Sequence, residues 1–274
     1  MRRLSAFNVV SLTLGFAFLY VPMLILVIYS FNESKLVTVW AGFSTKWYGE
    51  LAGNQQFLDA AWVTLRVAFF SSTIATVLGT MAAYALIRSG RFWGRTAFSG
   101  MIYAPLVMPE VITGLSLLLL FIAIGLDRGI LTLVLAHTTF CMCYVSVVVS
   151  SRLITFDQSL EEAARDLGCT AAESFRLVTL PIIAPAVVSG WLLAFTLSLD
   201  DLVIASFTSG PSSTTLPIKI FSSVRLGVSP EINALSTIMI GIVAIGVIIA
   251  SLMTKRSMAR RLADEAAADR AELT

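Results

Sequence analysis

Polar and charged positions gather in short clusters along the chain. Between them lie six apolar runs, at residues 9–31, 60–87, 97–126, 130–151, 182–207 and 234–254. Each run reaches the roughly 20 residues that a helix needs to cross the hydrocarbon of a bilayer. The pattern predicts an all-α membrane protein. Six transmembrane helices form one domain over residues 9–254, after a short segment 1–8 and before a tail 255–274. The longer runs have room for tilt or for a break. The first run is too long for a signal peptide and lacks a small-residue cleavage site, so it reads as a retained anchor.

Composition sharpens this picture. Of 274 residues, 57% are hydrophobic and only 13% charged, against roughly a quarter charged in soluble domains. Lys and Arg are unevenly placed. Arg2, Arg3, Arg88, Arg91, Arg95, Arg152, Arg165 and Arg176 fall on one side of the predicted topology, as does the basic start of the tail. Cytoplasmic loops carry that excess, so both termini are expected in the cytoplasm. The net charge of +2 is then a topology signal and not a nucleic-acid footprint. Cys141 and Cys143 lie within a span and Cys169 in a loop, which implies no disulfide framework. His137 and Cys141 share a helix face, but a metal site needs further ligands, so helix packing is the reading.

The connecting segments carry their own signals. Residues 32–59 hold Trp40, Phe43, Trp47 and Tyr48, rings that favour an interfacial helix. Residues 208–233 place Pro and Gly around an amphipathic stretch, Leu216–Leu226, suited to a gate, a docking surface or a plain linker. Pro105 and Pro109 fall inside the third run, where they predict a helix break.

The most informative polar stretch lies between the fourth and fifth runs, at residues 152–181. Ser159 and Glu162 have capping-box spacing, so a helix is expected from about Leu160. Leu160, Ala163, Ala164 and Leu167 form one apolar stripe. Gly168 is placed to end the helix in the left-handed conformation. Thr170 and Glu173 form a second capping box, opening a helix that runs to just before Pro181. A DNA-reading helix-turn-helix is disfavoured. Residues 152–185 hold three Arg against five acids, where a DNA reader presents a basic face. A protein-docking knob fits better.

The spacing Glu162-Ala163-Ala164, three residues, Gly168, nine residues, Val178, one residue, Leu180-Pro181 resembles the EAA signature of membrane subunits of binding-protein-dependent ABC importers. By that resemblance the loop receives force from a cytoplasmic ATPase. Glu162, Ala163, Ala164, Gly168, Leu180 and Pro181 would be the coupling residues, with Glu162 setting the contact and Gly168 the turn.

Three acids fall inside spans: Glu110 in the third, Asp200 and Asp201 late in the fifth. Acids at depth are costly, and they face the protein interior, a partner or a water-filled cavity. Neighbouring helical residues point about 100° apart, so Asp200 and Asp201 cannot both face one channel. One is expected on the pathway. The other is expected to pair with a neighbouring helix, through Arg66 or a partner subunit. Trp191 and Phe195 lie on one stripe with Leu199, which suits packing, although an aromatic face also attracts an ammonium group. Asp200, Asp201, Glu110, Trp191 and Phe195 are therefore the substrate-pathway candidates. None is expected to be catalytic, and no metal site is expected.

The segments Leu19–Leu51, Ala104–Phe121, Gly190–Pro211 and Ser222–Leu235 are similar to permease subunits of spermidine/putrescine importers. Cys169 stands where that family commonly has Ala. The resemblance implies the type I (MetI-like) ABC importer permease fold in a bacterial inner membrane. It implies four partners: a homologous second permease subunit, a cytoplasmic ABC ATPase dimer, a periplasmic polyamine-binding protein and the lipid bilayer, with no nucleic acid. Transport would proceed by alternating access. No phosphate-binding loop of the G-x-x-x-x-G-K-[ST] type is present. This chain is therefore expected to bind no cofactor, with ATP and Mg on the partner ATPase, and to be a transport subunit and not an enzyme. The alternatives are an importer of another small solute, with purely structural acids, or an ion-coupled secondary transporter.

Overall fold

A computed structural model describes residues 5–36, 39–227, 229–245 and 248. Among the described residues the regular structure is all helical, apart from one isolated bridge between Asn32 and Phe43. The helices are α1 (Ala6–Tyr29), α2 (Lys46–Gly53), α3 (Gln55–Arg88), α4 (Arg95–Val107), α5 (Glu110–Ala123), α6 (Ile130–Thr155), α7 (Ser159–Asp166), α8 (Ala171–Ser174), α9 (Leu180–Asp200), α10 (Val203–Thr208), α11 (Leu216–Leu226) and α12 (Pro230–Ile245). Four helical stretches are long and apolar enough to cross a membrane, or five if α4 and α5 count as one bent span.

The described residues form two compact units, one within 1–54 and 223–274 and the other within 55–222. In the second unit α3, α6 and α9 pack together, and small residues explain how they approach. Ala75, Gly79 and Ala83 repeat every four residues on the buried face of α3. A Cβ on Gly79 would lie 2.8 Å from both the Met142 carbonyl oxygen and Val145 Cβ. Val145 also faces Gly190 of α9, where a Cβ would meet its Cγ1 at 3.3 Å. One valine thus sits between two glycine notches. Lipid tails are as apolar as leucine, so close packing of this kind is what holds spanning helices together. Val149, Leu153, Phe140 and Ile183 extend the same core.

Two expected spans are broken. The third divides at Met108–Pro109 into α4 and α5, bent by 118°. Pro109 lacks an N–H and restricts the residue before it, and Met108 is extended (φ −79°, ψ 138°). The fifth ends at Asp200, and Asp201 is extended (φ −65°, ψ 120°) before the short α10 resumes.

In the first unit, α1 has none of its spanning window buried within the chain. After it, Asn32 organises the connection. Its Nδ2 donates to the Val39 carbonyl, and its Oδ1 accepts from the N–H groups of Ser34 and Ala41. Trp47 of α2, read from sequence as an interfacial ring, is buried and donates its indole N–H to the Asn32 carbonyl at 2.6 Å. Of the sixth apolar run, α12 covers the part up to Ile245. The last six residues of that run and the tail 255–274 lie outside the described residues.

Candidate functional site: the EAA loop and the acids of α9

The loop is built from its caps outward. Asp157, and not Ser159, starts α7. Its Oδ1 accepts the Ser159 N–H at 3.0 Å, and the helix begins at Ser159 with no side-chain cap from Gln158. A carboxylate is acceptor-only and also favours the positive helix end, so it displaces the expected hydroxyl cap. The hydrogen bond from the Ser159 backbone N–H holds the exposed Asp157 carboxyl below the ordinary carboxylate range.

The C-terminus of α7 is closed as the sequence indicates. Gly168 takes φ +96°. The Gly168 N–H reaches the Arg165 carbonyl at 2.9 Å, and the Cys169 N–H reaches the Ala164 carbonyl at 3.1 Å. These two bonds form a Schellman motif. The second capping box is also present. Glu173 Oε2 accepts the Thr170 N–H at 2.8 Å, and Thr170 Oγ1 accepts the Glu173 N–H at 3.3 Å. The first of these bonds lowers the Glu173 pKa.

The helix opened there does not stop before Pro181. It passes through a π-turn, Phe175–Thr179, directly into α9, giving one continuous helix over Ala171–Asp200. Pro181 donates no N–H, and its ring crowds the preceding turn. The widened turn, in which the Leu180 N–H reaches back five residues to the Phe175 carbonyl, makes room for it.

The expected apolar stripe divides. Ala164 is buried, whereas Leu160, Ala163 and Leu167 are exposed, Leu167 by 87%. Glu162 is exposed beside them, and Leu180 is half-buried with Pro181 exposed. The inward position belongs to Glu161, 3% exposed. Its Oε1 lies 3.3 Å from Arg88 Nε and accepts the Thr179 hydroxyl at 2.7 Å. Its carbonyl accepts from Ser174 Oγ at 3.3 Å. Arg88 also donates to the Phe156 carbonyl and lies over the Phe156 ring. Sequence reading missed this cluster. The signal was helical phase: Glu161 is three residues before Ala164 and so shares its face.

At the other end of α9, about 30 Å from Leu180 at 1.5 Å per residue, the two aspartates part. Asp201 turns inward. Its carboxylate accepts the Ile204 N–H at 3.2 Å and the Ala205 N–H at 2.8 Å, capping α10. Its Oδ2 also lies 3.1 Å from His137 Nε2, off the line of an aligned hydrogen bond. His137 Nδ1 is 2.7 Å from Ser198 Oγ, which meets Ser71 Oγ at 3.1 Å. This buried network joins α3, α6 and α9 to the α10 cap. The pairing expected through Arg66 is not formed. Arg66 lies over the Trp62 ring, 4.7 Å from its centroid.

Asp200 is exposed on the α9 surface. Glu110 is exposed in the first turn of α5, just past the break. Trp191 stacks on Phe195 with centroids 5.2 Å apart and donates its N–H to Thr73 Oγ1 at 3.1 Å. Phe195 also lines a pocket of about 430 Å³ with Trp62, Arg66, Phe69 and Phe70.

The chain as a whole is similar to known proteins. The family of binding-protein-dependent transport system inner membrane components matches residues 75–262. The putrescine transport system permease protein PotI of Escherichia coli (strain K12) is 59% identical over 266 residues, 95% of each chain. The spermidine/putrescine transport system permease protein PotC of Haemophilus influenzae is 46% identical over 88% of this chain and 94% of that one. A chain of a bacterial ABC transporter involved in import of the acidic polysaccharide alginate superposes with a TM-score of 0.70 at 17% identity, covering 90% of this chain and 94% of that one. A chain of the MetNI methionine ABC transporter superposes with a TM-score of 0.59, also at 17% identity, over 71% and 92%. Matched over most of its length by both sequence and fold, this chain belongs to the binding-protein-dependent transport system inner membrane component family.

Proposed function

We propose that this chain is a permease subunit of an ATP-driven importer that carries putrescine, or a closely related polyamine, inward across a bacterial inner membrane. The observation that carries the substrate is the 59% identity to the putrescine permease over 95% of both chains. The capped knob of α7, with Leu160, Glu162, Ala163 and Leu167 exposed on it, supports the coupling role.

In this reading six helices span the membrane with both termini in the cytoplasm, and α4–α5 act as one bent span. A homologous permease subunit pairs with this chain. Two cytoplasmic ATPase subunits hold ATP and Mg and receive the α7 knobs, and a periplasmic binding protein delivers the polyamine. Glu162 and the small Ala163 face the ATPase groove. Ala164 and Gly168 keep the knob compact, and Leu180-Pro181 begin the transmission into α9. Nucleotide binding draws the ATPases together and moves the knobs, so that the pathway opens outward, and hydrolysis returns it inward. Asp200 meets the ammonium end of the substrate, with Glu110 and the Trp191–Phe195 stack further candidates along the way. Asp201 holds α10 in place for that contact.

Labelled putrescine uptake, with excess spermidine as competitor, tests the reading in cells lacking this chain and again after its restoration. Restored uptake supports it. Unchanged uptake of every polyamine would remove the substrate assignment and point to another small solute. Thiol-labelling of single cysteines placed in the loops checks the topology.

A further inference from the structure

The EAA loop is joined in sequence only to α6 and α9, yet its one buried carboxylate points elsewhere. Glu161 is bound by Arg88, the last residue of α3, at 3.3 Å, and by Thr179 of the π-turn at 2.7 Å. Ser174 holds the Glu161 backbone carbonyl, and Arg88 holds the Phe156 carbonyl at the end of α6. The side chains of Arg88 and Glu161 are 10% and 4% exposed, so the pair is largely shielded from water. Directional bonds through the Arg88–Glu161 pair therefore tie together the ends of three long helices. Near its middle α3 carries Phe69 and Thr73, which contact Trp191.

We infer that Arg88 and Glu161 are positioning residues that make α3 move with the coupling knob, so that force entering at α7 reaches α3 directly as well as through α9. A knob tied only by its chain neighbours could tilt while α3 stayed behind. With Glu161 clamped, a displacement of α7 either carries α3 or breaks a buried ion pair. Glu161 and Arg88 both lie outside the EAA spacing. This inference rests on the coupling role proposed above.

The test uses the assembled importer in lipid. Replacing both partners together, Arg88→Leu with Glu161→Leu, removes the directional bonds and leaves no bare charge; such apolar exchanges of a buried pair commonly preserve folding. Putrescine moved per ATP hydrolysed is expected to fall about tenfold, within the usual range of coupling between sites, while assembly and ATP turnover persist. Thr179→Val, which removes one donor, is expected to lower the ratio less. Spin labels at Ser89→Cys and Gln158→Cys, with the native cysteines replaced by Ser, report the α3–α7 distance with and without a non-hydrolysed ATP analogue. The distance is expected to stay fixed between states with the pair intact and to change without it. An assembled double variant with the wild-type transport-to-ATP ratio overturns the inference. So does an α3–α7 distance that changes between states while the pair is intact. Failure of the unmodified importer to move putrescine would instead sink the substrate reading, and the label distances would still decide the joint.

Discussion

Two pairs of adjacent acids sit at opposite ends of the helix that runs from the loop through α9. Glu161 and Glu162 lie in the loop, Asp200 and Asp201 at the far end. In each pair one carboxylate is buried and bound while its neighbour is exposed. Glu161 takes Arg88 and Thr179, and Asp201 takes two backbone N–H groups and the side of His137. Glu162 and Asp200 face outward. In α7 the turn of about 100° per residue separates Glu161 from Glu162. At the other end α9 stops at Asp200, and the extended backbone at Asp201 carries its carboxylate inward. By these two routes the chain places a structural acid beside an available one. Counting acids in a span therefore overstates how many reach a pathway.

The sharpest way to break this comparison is to remove the buried members. Asp201→Ala leaves the Ile204 and Ala205 N–H groups of α10 without their acceptor, and Glu161→Ala leaves Arg88 without its carboxylate. Stripping one partner from the buried Arg88–Glu161 pair costs about 3–5 kcal/mol and losing a helix cap about 1–2 kcal/mol, so thermal stability in detergent is expected to fall for both, more for Glu161→Ala. Equal stability of Asp201→Ala and the parent chain would remove its structural role.

Gly168→Asp comes next. At φ +96° a side chain costs about 1–2 kcal/mol, paid within the loop, where no neighbouring atom blocks it. The variant is expected to remain in the membrane and to lose uptake, read as membrane content against transport. Asp200→Asn and Glu162→Gln sharpen the other half of the comparison. As exposed changes they are expected to shift stability by no more than about 0.5 kcal/mol, while uptake falls clearly in each. Uptake equal to wild type in Asp200→Asn would take that acid off the pathway.

The smallest effect concerns the exposed caps. Asp157 and Glu173 have lowered pKa values through backbone N–H bonds. Their contribution is present above the unfolded carboxylate pKa and is lost as pH falls through the lower folded values. Protease protection of the loop is expected to hold from neutral pH to about pH 5 and to weaken only below the ordinary carboxylate pKa of about 4. Weakening between neutrality and pH 5 would assign the caps no such role.

Much of this was legible beforehand. Apolar run length marked where α1, α3, α6 and α9 lie, because backbone satisfaction in lipid leaves few other choices. Gly168 and the Thr170–Glu173 box were legible because caps are local chemistry. What escaped was whatever depends on a second element. Arg88 reads as a basic helix end until Glu161 is seen against it. His137, Ser71 and Ser198 read as scattered polar residues until three helices bring them within hydrogen-bonding distance. The break at Asp201 was hidden because Leu202–Phe207 is as apolar as a continuing helix. The aspartate itself makes the break, by capping a new one.

The π-turn at Phe175–Thr179 sets a phase. A π-turn holds one residue more than an α-helix would use there. Wound as a regular α-helix, the same residues would turn everything before them by about 100° against α9. Ser174 and Thr179, five positions apart, would then lie about 140° apart and could no longer face Glu161 together, and the knob would present a different side to whatever seats it. The widened turn works as an angular setting. It fixes the bearing of the loop on the helix that follows.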